Sequence, residues 1–96
     1  MYRHINLEIT SQSQTILQRV AVADKSAINE CLNTYGDFVW QTVRKYSNSD
    51  TDAEKMVQDV FKDIWQYAAR YDSAKFSEDD FISMLIRHRL RQKNVH

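Results

Sequence analysis

The run from Thr51 to Asp72, TDAEKMVQDVFKDIWQYAARYD, constrains the fold more tightly than any other part of the chain. Ala53, Val57, Val60, Ile64 and Ala68 recur at steps of three or four, the spacing that gathers side chains on one face of an α-helix. A face of that kind is stable only when other elements cover it. Thr51, Asp52, Ala53 and Glu54 have the form of a capping box, with a hydroxyl for a first-turn N–H and a carboxylate to reach back, which predicts that the helix starts there. Lys55, Gln58, Asp59, Lys62, Asp63 and Gln66 fall on the other surface and read as a solvated stripe.

What covers the apolar face is also helical. The 96 residues contain no proline and one glycine, Gly36, which argues against a turn-rich β protein and for a few long helices. Ile16, Leu17, Val20 and Ala23 have helical spacing and predict a short helix within 13–23. Asp24 then reads as the N-cap of a helix running to about Tyr46. Its apolar stripe holds Ile28, Cys31, Leu32, Tyr35, Phe38, Val39, Val43 and Tyr46. Gly36 inside that helix costs about 1 kcal/mol relative to alanine, and close packing is the expected reason for it. SNSD at 47–50 is a polar turn that sets the next helix antiparallel. After a loop at 71–76, Ser77 followed by Glu78, Asp79 and Asp80 puts a capping hydroxyl and three acids at the positive end of a helix dipole. That last helix turns Phe81, Ile82, Leu85 and Ile86 inward and its arginines outward. The expected fold is all-α, a compact bundle of three main helices plus a short N-terminal helix, formed by residues 13–96 behind an N-terminal tail at 1–12.

Thirteen basic and thirteen acidic side chains balance, so net charge makes no case for nucleic acid. Distribution says more. Asp50 to Asp63 is acidic, whereas Arg87 to His96 carries Arg87, Arg89, Arg91 and Lys93 with no acid. Cys31 is a lone cysteine in an apolar pattern, which excludes an internal disulfide and reads as core. No apolar run approaches the ~20 residues that span a bilayer, and MYRHINLEIT lacks the order of a signal peptide. The chain is expected in the cytoplasm. No Gly-rich phosphate loop, serine elbow or Cys/His metal spacing occurs; His88 stands alone, and Asp79-Asp80 suits capping rather than metal binding. No cofactor is implied, and the chain reads as a non-enzyme.

Asp52-Ala-Glu54, Val57-Gln58-Asp59-Val60-Phe61 and Ile64-Trp65 together resemble the DAE(D/x)xVQ(E/D)xFxxxW signature of region 2.2 in bacterial sigma factors, with the extracytoplasmic-function (ECF) class the most similar group. The likeness extends without a gap from Leu17 to Gln92. Leu17, Ala23-Asp24, Ala27, Leu32, Tyr35 and Val39 are similar to region 2.1. Tyr71-Asp72 stands where the family has Phe-Asp, Phe81-Ile82 where regions 2.3 and 2.4 carry Trp-Leu, and Leu85 to Leu90 in place of Ile-Ala-Arg-Asn-Arg-Leu. Several positions depart from the pattern: Lys55 replaces a common acid, Phe76 and Glu78 replace a small residue and an aromatic, Phe81 replaces Trp, and His88 replaces Asn. Arg91 and Gln92 stand where Ile and Asp are usual, so promoter preference is not carried over. No region 4 is present in this chain, which suits either a domain cut from a longer protein or a single-domain variant; the former is the expectation.

The resemblance implies a transcription initiation factor domain with two partners. The region 2.2 helix would dock on the clamp coiled coil of the RNA polymerase β-prime subunit through Asp52, Glu54, Lys55, Gln58, Asp59, Phe61 and Lys62. The loop and last helix would hold the non-template strand of the promoter minus-10 element, melted and with bases flipped out. That task needs cations for phosphates and flat or apolar side chains for unstacked bases. Tyr71, Phe76 and Phe81 are candidate platforms; Lys75, Arg87, Arg89, Arg91 and Lys93 are candidate cations; Ser77 and His88 are candidate polar contacts. An anti-sigma protein commonly sequesters ECF factors, and nothing in these residues identifies one. Bland readings stand beside each of these. A basic last turn ordinarily complements the helix dipole, Phe81 lies on the apolar stripe, Trp40 and Trp65 read as packing, and Gln58 and Asp59 alone would be solvated surface. The alternative function is a sigma-like protein-interaction module that does not read DNA.

Overall fold

The computed structural model describes residues 14–93; the tail at 1–12 and the side chain of Lys93 lie outside what is described. Among the described residues the fold is all-α. It comprises α1 (Ile16–Ala21), α2 (Lys25–Lys45), α3 (Asp50–Tyr67), a 3-10 turn (Ala68–Arg70) and α4 (Glu78–Lys93).

α1 is shorter than its apolar spacing predicts because both of its ends are fixed by side-chain and backbone hydrogen bonds. Thr15 is the N-cap: its hydroxyl accepts from Gln18 N–H at 3.2 Å while the Gln18 side chain accepts from Thr15 N–H at 2.9 Å. This is a capping box. At the other end Ala23 N–H donates to the Val20 carbonyl and Asp24 N–H to the Arg19 carbonyl, the paired bonds of a Schellman motif. Ala23 accordingly takes φ 63°, a left-handed conformation that favours glycine. Asp24 closes α1 and caps α2 at once, accepting from Ser26 N–H at 3.0 Å, so the two helices join with no intervening loop.

α2 is continuous through Gly36, and a Cβ placed there would meet nothing within 4 Å. The expected packing reason for the glycine is therefore absent. The buried side of α2 is also narrower than its apolar residues suggest. Ala27, Cys31, Val39 and Val43 are buried, whereas Leu32, Phe38 and Tyr46 are exposed. Among the described residues no element covers these three.

The α2–α3 turn is held by Arg44, whose guanidinium pairs with Asp50 and donates to the Ser47 carbonyl. The start of α3 differs from the predicted capping box. Ser49, not Thr51, is the N-cap, accepting from Asp52 N–H at 3.1 Å from an extended backbone. Starting two residues earlier places both Asp50 and Asp52 in the first turn, where the helix dipole favours them. α3 ends at Tyr67 and tightens into the 3-10 turn, which runs up to the loop expected from Tyr71.

The core is built from Leu17 and Val20 of α1, the buried line of α2, Ala53, Met56, Val60, Phe61 and Ile64 of α3, Ala68, and Phe81, Ile82 and Ile86 of α4. α1 packs on α2 and on the 3-10 turn, and α4 lies across α3 with a lesser contact to α2. Cys31 is fully buried, as expected of a core thiol. No described helix is long and apolar enough to cross a membrane.

Candidate functional site

Two surfaces carry the residues that the sequence singles out, one on α3 and one on α4 with the loop before it. On α3 the helical period sets Glu54 with Gln58, and Lys55 with Lys62, opposite the buried stripe. All four are exposed, and Asp52 and Asp59 flank them half-buried. Phe61 is not on this face. It is 6% exposed and its ring lies 5.6 Å from that of Trp65, so its apolar area is already covered within the fold. Phe61, expected in the docking set, thus lies beneath this face rather than on it.

Asp63 is also misplaced by a simple polar-stripe reading. It is 6% exposed and accepts two hydrogen bonds from Arg89, from Nε at 2.7 Å and from Nη2 at 2.9 Å. That geometry is the fork-on-carboxylate pair that gives arginine its directional strength. The carboxylate beside it raises the pKa of the Arg89 guanidinium, chiefly through this bond. Arg89 therefore faces inward, engaged with α3, and is removed from the set of outward cations.

Its neighbours are free of such engagement. Arg87, His88 and Arg91 are exposed, and among the described residues no carboxylate pairs with Arg87 or Arg91. These three line an open groove of about 460 Å³ together with Phe81, Met84 and Leu85 of α4, Tyr67 and Arg70. Phe81 is buried at 6% exposure, which agrees with its place on the apolar stripe, and Met84 is 38% exposed. Among the described residues no acid lines the groove. Tyr67 and Arg70 were missed by sequence reasoning, since Tyr67 passes for a packing residue and Arg70 for a helix-end cation.

The loop between the 3-10 turn and α4 is folded on itself. Asp72 accepts from Ala74 N–H through its carboxylate and from Lys75 and Phe76 N–H through its carbonyl. The Tyr71 hydroxyl donates to the Phe76 carbonyl at 2.9 Å, and its ring meets Phe81 edge-on at 5.3 Å. Burial, with Glu78 and Asp72 nearby, pushes the Tyr71 phenol up. Tyr71 and Phe76 are half-buried against the core, so each offers part of a face rather than a free platform. Lys75 is exposed. Ser77 accepts from Asp80 N–H at 3.1 Å, which commits its hydroxyl to capping α4.

Glu78 stands where the loop meets α4 and ties three helices together. One oxygen accepts from Leu17 N–H at 2.6 Å, an amide in the first turn of α1 that the helix itself leaves unpaired; the other accepts from the Tyr35 hydroxyl of α2 at 2.7 Å. Sequence reasoning saw only a helix-dipole acid here, and no local spacing could have named partners 61 and 43 residues away. Among the described residues no cluster of His, Cys, Asp and Glu could hold a metal ion.

The family model for Sigma-70 region 2 matches residues 31–93, a span that takes in most of α2 and all of α3, the loop and α4. No curated protein and no solved structure matches the chain.

Proposed function

The chain belongs to the Sigma-70 region 2 family, whose role is in transcription initiation, and from that premise we propose that it is an ECF-type promoter-recognition domain with two working faces. The exposed face of α3, centred on Gln58 with Asp52, Glu54, Lys55, Asp59 and Lys62 around it, docks on the clamp coiled coil of the RNA polymerase β-prime subunit. The loop at 71–77 and α4 hold the melted non-template strand of the minus-10 element, with Lys75, Arg87, Arg91 and Lys93 on phosphates and His88 at a base edge.

The observation that carries this reading is the sorting of the α4 cations. Arg89 is drawn inward by Asp63, while Arg87, His88 and Arg91 stay exposed around an acid-free groove. A helix that needed arginines only to complement its own dipole would gain nothing from two outward ones, unpaired among the described residues, beside the apolar residues of the groove. A strand of phosphates and unstacked bases uses both features.

The test has two arms. Binding of the chain to an isolated β-prime clamp coiled coil is measured for wild type, Gln58→Ala and Asp59→Lys; binding to a single-stranded minus-10 oligonucleotide is measured for wild type and the Arg87→Glu/Arg91→Glu double variant. The proposal expects weaker coiled-coil binding for the first two variants, and at least tenfold weaker strand binding for the double variant with coiled-coil binding kept. A wild-type chain that ignores the coiled coil at high micromolar concentration removes the docking role. Docking without any strand binding leaves a protein-interaction module, a reading favoured by the exposed Lys55 that stands where the family commonly has an acid.

A further inference from the structure

α1 folds back along α2 from the joint at Asp24, and two contacts fix where α1 begins. Arg19 pairs with Glu30 of α2 at 2.9 Å. Nearer the start of α1, the Leu17 amide and the Tyr35 hydroxyl of α2 share the Glu78 carboxylate. The start of α1 therefore lies level with Tyr35, and α1 traced backward through Thr15 points along the C-terminal half of α2.

Glu30 belongs to a row of α2 residues at steps of four, Glu30, Thr34, Phe38, Thr42 and Tyr46, which stack on one flank of the helix. Arg19 of α1 reaches the first of them. Farther along, Phe38 is 37% and Tyr46 65% exposed, and among the described residues no element covers either.

Chemistry and size together limit what can cover this row. It contains no Lys or Arg, so it offers an anion no grip. Two partly exposed aromatics fall far short of the roughly 800 Å² per partner that a stable interface between separate chains buries. A tethered segment escapes that requirement, since a short linker holds it at an effective concentration on the order of millimolar.

The chain has such a segment. Residues 1–13 precede the described part, and within them Ile5, Leu7 and Ile9 alternate with Asn6 and Glu8. In an extended segment that alternation puts the three apolar side chains on one side. Ile5 to Ile9 would then span about 13 Å, against about 12 Å from Phe38 to Tyr46 along the helix axis. TSQSQ at 10–14 is a wholly polar linker that reaches up to about 17 Å, enough to carry Ile9 from the start of α1 to any point of the row.

We infer that residues 5–9 dock as an extended strap on the Phe38, Thr42 and Tyr46 row of the same chain, with Ile5, Leu7 and Ile9 facing the two aromatic rings. The strap continues along α2 the cover that α1 begins. It touches none of the residues assigned above to polymerase or to the DNA strand, so its consequence is for α2 itself, whose bare flank becomes a buried one.

The test is paramagnetic relaxation enhancement in the full isotope-labelled chain carrying Asn6→Cys, with a nitroxide on the introduced thiol. Cys31 is fully buried and stays unlabelled, and Asn6 falls on the side of the strap turned away from α2. The expected result is loss of amide signal at Thr34, Phe38, Thr42 and Tyr46, restored when the nitroxide is reduced. That loss should disappear in Asn6→Cys/Leu7→Asp and in Asn6→Cys/Tyr46→Ser; Tyr46 is exposed, so its replacement leaves the core intact. Signal loss that is absent from the row, spread evenly over the surface, or unchanged in either double variant overturns the strap. A mixed sample, with the nitroxide on unlabelled chains and the isotope on others, separates the tether from a second copy. Signal loss along the same row in that sample overturns the strap in favour of exchange between chains.

Discussion

Asp63 and Arg89 form a two-point ion pair across the α3–α4 interface, at 2.7 and 2.9 Å, with the carboxylate side chain 9% exposed and the guanidinium 33% exposed. Breaking a buried pair from one side strands the other charge, at roughly 3–5 kcal/mol for full burial. Here the water that reaches Arg89 reduces this. Asp63→Ala is expected to lower unfolding free energy by about 2–3 kcal/mol, measured by urea denaturation. The double variant Asp63→Leu/Arg89→Met should be more stable than Asp63→Ala, because it leaves no unpaired charge. A double variant no better than the single would show that the pair itself, and not the stranded charge, carries the loss.

The start of α3 separates two capping hydroxyls by sequence position alone. Ser49 accepts from Asp52 N–H, whereas Thr51 is exposed within the first turn. Ser49→Ala should lower stability by about 1 kcal/mol, the usual loss on removing an N-cap oxygen. Thr51→Ala should leave it level or raise it slightly, since alanine is the better residue inside a helix. Reversal of that order in thermal unfolding would restore the capping box at Thr51.

Glycine stands in the helix and alanine in the left-handed joint. The Cβ of a residue at 36 would point into open space, so Gly36→Ala should stabilise by about 0.5–1 kcal/mol through helix propensity and the unfolded chain's entropy. At the α1–α2 joint Ala23 holds φ 63°, where its Cβ crowds the backbone; Ala23→Gly should relieve about 1 kcal/mol of that strain. Denaturant midpoints for the two variants check both signs. A destabilised Gly36→Ala would point to a neighbour that moves against this face in solution.

Alkaline pH acts on the joint between α1, α2 and α4. Burial pushes the Cys31 thiol from 9.0 up to about 12, with Glu78 and Glu30 adding to it. Burial and the hydrogen bond to Glu78 push the Tyr35 phenol up as well. In both groups the folded state holds its proton more tightly than the unfolded chain. Their contribution is therefore fully present below about pH 9 and is lost as pH rises from about 9 toward 12. Stability measured across that window should fall, and Cys31→Ala should flatten the fall while lowering the starting value. A wild-type profile flat to pH 11 would mean that the thiol is less well shielded than its position suggests.

The legible and illegible parts of this chain divide by the distance over which information acts. The period of Ala53, Val60 and Ile64, the capping residues Asp24 and Ser77, and the SNSD turn are local, and the fold class and helix order follow from them. The Sigma-70 region 2 likeness was legible in the α3 signature, and the family match covers α3 and α4. What a one-dimensional pattern does not carry is which flank of a helix meets a neighbour. Leu32, Phe38 and Tyr46 look like core and are exposed, because among the described residues no element packs over them. Asp63 looks like surface and is buried, because its partner is 26 residues away on another helix. Tyr67 and Arg70 belong to the groove only once α4 is laid beside them.

The three arginines of α4 offer a last prediction, because their spacing alone treats them alike and the fold does not. Arg89→Ala removes the partner of Asp63 and should lower the melting temperature, leaving the salt slope of strand binding unchanged, since Arg89 is already neutralised by Asp63. Arg87→Ala and Arg91→Ala touch no described ion pair and should leave melting within about 0.5 kcal/mol of wild type. Each should lower the slope by about 0.7, one released counterion per phosphate contact on a single strand. Melting curves and binding at three salt concentrations resolve the two classes. If Arg89→Ala reduces the slope as much as its neighbours do, the Asp63 pair opens when the strand binds, and α4 rolls on α3 to present all three guanidiniums.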